Sequence, residues 1–199
     1  MTKFLIILML FMTGCQQPIA NRDSIGTTVV CFGDSLTAGY GASAGHDYPS
    51  LLGQKINLPV INAGVSGNTT ADALQRLDSD VLTHNPKIVI ITLGGNDYFH
   101  QMPEADTLAN MEKIMERIKE HGAMVVWAEV QVGILGDPYI DDFRALANRE
   151  HILLIPNILT GIIDRPEYKY DQIHPNDEGY KVMSDRIYQH IKGLLSNSI

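Results

Sequence analysis

The sequence predicts an α/β fold, a three-layer, doubly wound sheet of five parallel strands covered by helices on both faces. Three observations predict it. Short apolar runs near residues 29–32, 58–62, 87–93, 123–130 and 152–155 alternate with segments of helical periodicity. Most of these runs are apolar at consecutive positions, as strands buried on both faces are, whereas a strand with one wet face alternates. Glycine, asparagine and serine punctuate the ends of the first three runs, and strand–helix alternation of this kind joins parallel neighbours by right-handed crossovers.

The first strand is Val29-Val30-Cys31-Phe32, broken by Gly33-Asp34-Ser35. Asp47-Tyr48-Pro49 then starts a helix, with the aspartate as N-cap and proline in the first turn, and Leu51, Leu52 and Ile56 on its buried side. Leu58 to Asn62 reads as the second strand, and Ala63 to Asn68 as a glycine-containing loop. Thr69 or Thr70 caps the next helix, which buries Ala73, Leu74 and Leu77. The third strand runs from Lys87 to Leu93 and ends in Gly94-Gly95-Asn96-Asp97. A longer helix is expected from Asp106 to His121, because Leu108, Met111, Ile114, Met115 and Ile118 keep an amphipathic spacing and Gly122 stops it. Ala123 to Val130 is the fourth strand and Ile152 to Ile155 the fifth, with Ile140, Phe143, Leu146 and Ala147 marking a helix between them. The last helix, from Asn176, carries Tyr180, Met183, Ile187, Ile191 and Leu194 on one face.

A chain of 199 residues suffices for one domain with a proper core and is short for two. Its net charge of −8, without a long basic run, argues against nucleic acid, which requires a basic face against the phosphates. The N-terminus reads as a targeting segment. Met1-Thr2-Lys3 is a short basic start, and Phe4 to Met12 is an apolar run too short to span a bilayer. Thr13-Gly14-Cys15 then resembles the bacterial lipobox, which implies cleavage before Cys15 and a lipid on its thiol. The alternative is an ordinary secretory signal cut near Ala20. Gln16 after the cysteine resembles the pattern that sorts lipoproteins to the outer membrane. The expected organisation is a signal peptide over residues 1–14, a polar tether over 15–26 and one domain over 27–199, lipid-anchored in the bacterial cell envelope at the outer membrane, facing the periplasm. Cys31 lies inside a strand, where a free thiol behaves as a small buried hydrophobe, so no disulfide is expected.

The polar residues at the strand ends share one location. Ser35, Gly67 and Asn96 fall just past the carboxyl ends of the first three strands, and Asp171-Gln172-Ile173-His174-Pro175 falls between the fifth strand and the last helix. In a parallel sheet those ends lie on one edge, the edge at which ligands bind. A serine hydroxyl needs a base to accept its proton during attack, and histidine is the side chain suited to that near neutrality. Asp171, three residues before His174, can be presented by the same short loop, accept the other ring N–H and fix the tautomer. Asp34 reads as a turn residue and Asp97 as a cap or brace, and both are left out of the site. The remaining histidines lack such a context, although His46 and Tyr40 are placed to line a pocket mouth.

Gly33-Asp34-Ser35-Leu36, the loop around Gly67, Gly95-Asn96-Asp97 and Asp171-x-x-His174 together resemble the four signature blocks of the SGNH (GDSL) hydrolase family, in family order. Within it, they are similar to the branch of bacterial arylesterases, acyl-CoA thioesterase I and lysophospholipase L1. The resemblance implies the flavodoxin-like fold of that family and a serine esterase or thioesterase acting on small or lipid-derived carboxylic esters through an acyl-enzyme. It assigns a triad of Ser35, Asp171 and His174, and an oxyanion hole of the Ser35 and Gly67 backbone N–H groups with the Asn96 amide. It implies neither metal nor cofactor. The expected partners are a small-molecule acyl ester or lipid substrate and a membrane reached through Cys15, with no nucleic acid and a monomeric chain. The sequence contains no G-x-x-x-x-G-K-[ST], H-E-x-x-H or strand-following G-x-G-x-x-G, and Gly33 to Thr37 does not fit G-x-S-x-G. Two alternatives stand beside the esterase: an O-acetyl esterase of carbohydrate or peptidoglycan, and a lipoprotein that binds lipid without turnover. Gln172 stands where many relatives have glycine, and residues 133–142 are expected to help shape the acyl site.

Overall fold

The computed structural model describes residues 18–131 and 140–195, so the signal peptide, Cys15 and most of the 133–142 segment lie outside the described residues. Strands β1 (Thr28–Gly33), β2 (Val60–Gly64), β3 (Pro86–Thr92), β4 (Met124–Ala128) and β5 (Leu153–Ile155) form one sheet in the order β2-β1-β3-β4-β5. Every neighbouring pair is parallel. The order reverses between β1 and β3, which opens a crevice at the carboxyl edge there.

Helices α1 (Ser35–Ala38), α2 (Tyr48–Gly53), α3 (Thr70–Asp80), α4 (Gly95–Phe99), α5 (Glu104–Glu120), α6 (Ile140–Arg149) and α7 (Asp177–Leu195) complete the described chain. Successive side chains of a strand point to opposite faces, so each central strand feeds two cores at once. Val29, Cys31, Ile88, Ile90, Met124 and Val126 pack under α2 and α7, against Leu52, Tyr180, Met183 and Ile187. Val30, Phe32, Val89, Ile91, Val125 and Trp127 pack under α3, α5 and α6, against Leu77, Met111, Ile114 and Phe143. That division explains the unbroken apolar runs. Cys31 is fully buried, and burial pushes its thiol up to about 12.

The expected caps form. Asp47 accepts the Ser50 N–H at 2.9 Å ahead of α2, Thr69 and Asp72 make a reciprocal capping box on α3, and Gly122 follows α5 at φ +84°. Three features differ from expectation. β2 is shifted toward its carboxyl end, because its ladder with β1 runs from Val29–Val60 to Gly33–Gly64, which draws Ala63 and Gly64 into the strand and leaves Leu58 and Pro59 out. As a sheet edge it is only partly buried. Two short helices, α1 and α4, begin directly after β1 and β3.

The third difference concerns the expected tether, because from Ala20 onward it lies along the amino edge of the sheet. The Ala20 N–H bonds the His151 carbonyl below β5 at 2.8 Å, and the Asn21 amide bonds the carbonyls of Lys119 and Ala123 below β4 at 2.8 and 3.0 Å. Lys87 at the start of β3 donates its ammonium to the Ser24 carbonyl at 2.7 Å. The Thr27 N–H bonds the Asn85 carbonyl at 2.9 Å. Residues 20–27 thus cross under the sheet from β5 to β1.

Candidate active site

The site grows from the turn after β1. Asp34 caps α1 by accepting the Leu36 N–H at 3.0 Å, which makes Ser35 the first helical residue. The Ser35 backbone N–H therefore belongs to a first turn, where N–H groups have no intrahelical acceptor. Arg76 of α3 holds this turn from outside. Its guanidinium donates to the Gly33 carbonyl at 2.8 Å, the Ala63 carbonyl at 2.9 Å and Asn68 Oδ1 at 2.6 Å, and it lies 4.5 Å over the Phe32 ring. Below the turn, Thr37, Tyr48 and Thr92 form a buried hydroxyl chain at 3.1 and 3.3 Å.

Ser35 Oγ lies 2.9 Å from His174 Nε2, and His174 Nδ1 lies 2.8 Å from Asp171 Oδ2, so the predicted triad comes together. With Nδ1–H donated to the carboxylate, Nε2 is left as acceptor for the serine hydroxyl. Asp171 Oδ1 also accepts the Ile173 and His174 N–H groups at 2.9 and 2.8 Å. Partial burial raises the Asp171 pKa, but these bonds and the neighbouring imidazole outweigh it and hold the carboxyl below its ordinary value. The loop itself is fixed to α7 by Asn176. Its side chain donates to the Glu167 carbonyl at 2.9 Å and accepts the Gly179 N–H at 3.1 Å. The Tyr40 ring sits 4.6 Å from the His174 ring, so Tyr40 does flank the mouth, whereas the His46 ring meets the nearby Ala44 carbonyl at 3.3 Å.

The loop after β2 closes in a turn in which the Asn68 N–H bonds the Val65 carbonyl at 3.1 Å. Gly67 occupies its third position at φ +82°, the conformation a type II turn reserves for glycine. Asn96, in the first turn of α4, donates one amide N–H to the Asn68 carbonyl at 2.9 Å and approaches Asp34 Oδ2 at 3.4 Å. Asn96 therefore joins the Gly67 loop to the serine turn. Gly67 stands at the exposed tip of its loop and is not part of the crevice wall.

Two carboxylates passed over as catalytic groups are buried braces. Asp97 accepts the Thr70 N–H at 2.9 Å and both the Thr70 and Thr107 hydroxyls, tying α4 to α3 and α5. Asp34 is 4% exposed, and burial raises its pKa to about 6, against the opposing pull of the Leu36 N–H and of His174. Its aim at Asn96 and the reach of Arg76 were not foreseen. The only sequence signal for Arg76 is its place on α3 two turns beyond the Thr69 cap.

A crevice of about 500 Å³ opens beside Ser35, Asn96 and His174. Leu36, Phe99, Val130, Leu159, Ile163 and Ile173 make its apolar wall, with Asn157, Thr160 and Gln172 among the polar groups. Glu129, buried at the end of β4, accepts the Asn157 N–H at 3.0 Å and fixes that side of the wall. The volume suits one small ligand. Among the described residues, no three His, Cys, Asp or Glu side chains converge to hold a metal ion.

A serine, a histidine and an acid in relay at the carboxyl edge of a doubly wound sheet, beside an apolar crevice, define a serine hydrolase of the three-layer α/β type. Residues 31–182 match the GDSL-like lipase/acylhydrolase family, and the chain belongs to it. It is 31% identical to the arylesterase of Vibrio mimicus over 174 residues, 82% of this chain and 87% of the relative. It is 28% identical to thioesterase 1/protease 1/lysophospholipase L1 of Escherichia coli K12 over 184 residues, 88% of each chain. The crystal structure of TesA matches with a TM-score of 0.78 at 28% identity, covering 84% of this chain and 99% of that one.

Proposed function

We propose that the protein hydrolyses carboxylic esters or thioesters through an acyl-enzyme on Ser35. The observation that carries this reading is the relay from Ser35 Oγ through His174 to Asp171, at 2.9 and 2.8 Å. Ser35 Oγ attacks the carbonyl carbon while its proton passes to His174 Nε2, and Asp171 stabilises the imidazolium that forms. The oxyanion is met by the Ser35 backbone N–H, by the Gly67 N–H on the loop that Asn96 ties to the serine turn, and by the Asn96 amide, whose N–H at a long 3.4 Å from Asp34 Oδ2 turns to the substrate while the other stays on the Asn68 carbonyl. Such preorganised donors contribute about 2.7–4 kcal/mol each. As the intermediate collapses, His174 returns the proton to the leaving alcohol or thiol. Water, deprotonated by His174, then cleaves the acyl-enzyme and restores Ser35.

The arylesterase and thioesterase/lysophospholipase relatives support this substrate class, and the apolar wall of Leu36, Phe99, Val130 and Leu159 favours an acyl chain over a sugar. The same proposal holds the chain in the cell envelope as a monomer with a lipid on Cys15, at the outer membrane facing the periplasm. The apolar run Phe4 to Met12 followed by Thr13-Gly14-Cys15 supports that part.

The test is Ser35→Ala, assayed on p-nitrophenyl esters from acetyl to palmitoyl and on acyl-CoA. Loss of the nucleophile is expected to lower kcat/KM on the preferred substrate by about 10³-fold or more. Unchanged turnover in the variant overturns the mechanism.

A further inference from the structure

The sheet has two poles, and the candidate catalytic residues and the described start of the chain, from Ile19 to Arg22, fall on opposite ones. Ser35, Asn96 and His174 stand at the carboxyl edge. The segment leading toward Cys15 is fastened at the amino edge. Ala20 bonds the His151 carbonyl immediately ahead of β5, Asn21 bonds the Ala123 carbonyl immediately ahead of β4, and the Arg22 guanidinium bonds the Gly193 carbonyl near the end of α7 at 3.2 Å. Ile19 packs into the core beneath α7. What was expected to be a tether of a dozen residues is therefore bound to the domain along most of its length.

Covalent geometry then limits how far the domain can turn. Cys15 and Pro18 are separated by three Cα–Cα steps, a reach of about 11 Å at full extension. β3, with seven residues, separates the poles by about 20 Å before the loops at either end are added. A lipid on Cys15 cannot bring the mouth of the crevice down onto the bilayer in which it is inserted. On the amino edge, Ile25 stands 94% exposed, whereas the exposed Tyr40, Phe99, Tyr170 and Ile173 lie about the crevice at the carboxyl edge, so it is the fastening of residues 19–22, not apolar area, that sets the orientation.

From this we infer that the amino edge of the sheet is a membrane-facing surface whose partner is the phospholipid layer holding the Cys15 lipid, and that the crevice opens away from it. The inference rests on the proposed anchor and deepens the substrate reading. The acyl ester reaches Ser35 from the aqueous side, as a dispersed or carried amphiphile or from an opposing layer, rather than out of the anchoring leaflet.

Position-specific quenching in vesicles tests it. The full lipidated chain carries one added cysteine, either His121→Cys at the exposed end of α5 or Ala44→Cys. Ala44 is exposed beside Ser43, whose N–H bonds Asp177 Oδ1 at 2.7 Å at the carboxyl pole. Buried Cys31 does not compete for the fluorophore. Each labelled protein is reconstituted into phosphatidylethanolamine/phosphatidylglycerol vesicles with and without nitroxide-headgroup lipid. Quenching at residue 121 is expected to exceed that at residue 44 by at least twofold. Equal quenching, or stronger quenching at 44, overturns the orientation. Fractionation of cells producing wild type and Cys15→Ser reads the anchor separately. A wild type that leaves the membrane fraction as freely as Cys15→Ser overturns the anchor itself, and with it the inference.

Discussion

Asp34 and Asn96 face each other across the serine turn, 3.4 Å apart, and the carboxylate is buried to 4% exposure. Burial holds its pKa at about 6, above the roughly 3.9 of an unfolded aspartate. Below pH 4 both states carry the proton, and Asp34 does not affect stability. Between pH 4 and 6 the unfolded chain releases its proton while the folded chain keeps it, so stability falls as pH rises. By pH 7 the cost is on the order of 2–3 kcal/mol. Asp34→Asn keeps an acceptor for the Leu36 N–H and does not titrate. Its unfolding free energy relative to wild type is therefore expected to rise by that order between pH 4.5 and 7.5 in urea titrations. A difference that stays flat with pH removes the buried-carboxylate account. At this scale the juxtaposition of Ser35, His174 and Asp171 was legible, because a serine, an aspartate and a histidine in their blocks carry side-chain chemistry that residue type announces. Arg76 was not legible, because two of its partners are the backbone carbonyls of Gly33 and Ala63, which residue type does not mark.

Elements position that chemistry by close backbone contact. β2 presses on α1 at Gly64, where an added Cβ would lie 2.1 Å from the Ala38 nitrogen and 2.5 Å from the Thr37 carbonyl carbon. Because α1 begins at Ser35, Gly64→Ala must shift the helix that carries Ser35. Overpacking of this kind costs about 1–3 kcal/mol, and a displacement near 1 Å at a reacting centre can cost about 10²-fold in rate. The variant is expected to melt at lower temperature and to lose at least tenfold in kcat, whereas an unchanged kcat in a folded variant would show that β2 does not set the position of Ser35. The long amphipathic helices were legible from their spacing, and α5 begins only two residues earlier than expected. α1 and α4 were not, since helices of four and five residues are too short to show a period. β2 was misplaced because its ladder with β1, rather than its own apolar run, fixes its ends.

Across the whole molecule, doubly apolar strands announced a parallel sheet, and a parallel sheet gathers four separated blocks on one edge. The path of residues 20–27 under the opposite edge stayed hidden. Asn21, Ser24 and Thr27 look like solvated linker residues until the carbonyls of Lys119, Ala123 and Asn85 and the Lys87 ammonium are brought to them by the fold. The result is a molecule with a fastened base and an open catalytic rim, both organised around Ser35 at the end of β1. The proposed acyl-enzyme hydrolysis requires Ser35 to be a nucleophile activated by His174. The most direct measurement is reaction of the purified protein with a fluorophosphonate, followed by peptide mass analysis. One adduct per chain is expected on Ser35, with labelling slowed at least a hundredfold in His174→Ala. An adduct on any other residue, or no adduct on a preparation that still hydrolyses esters, contradicts the account.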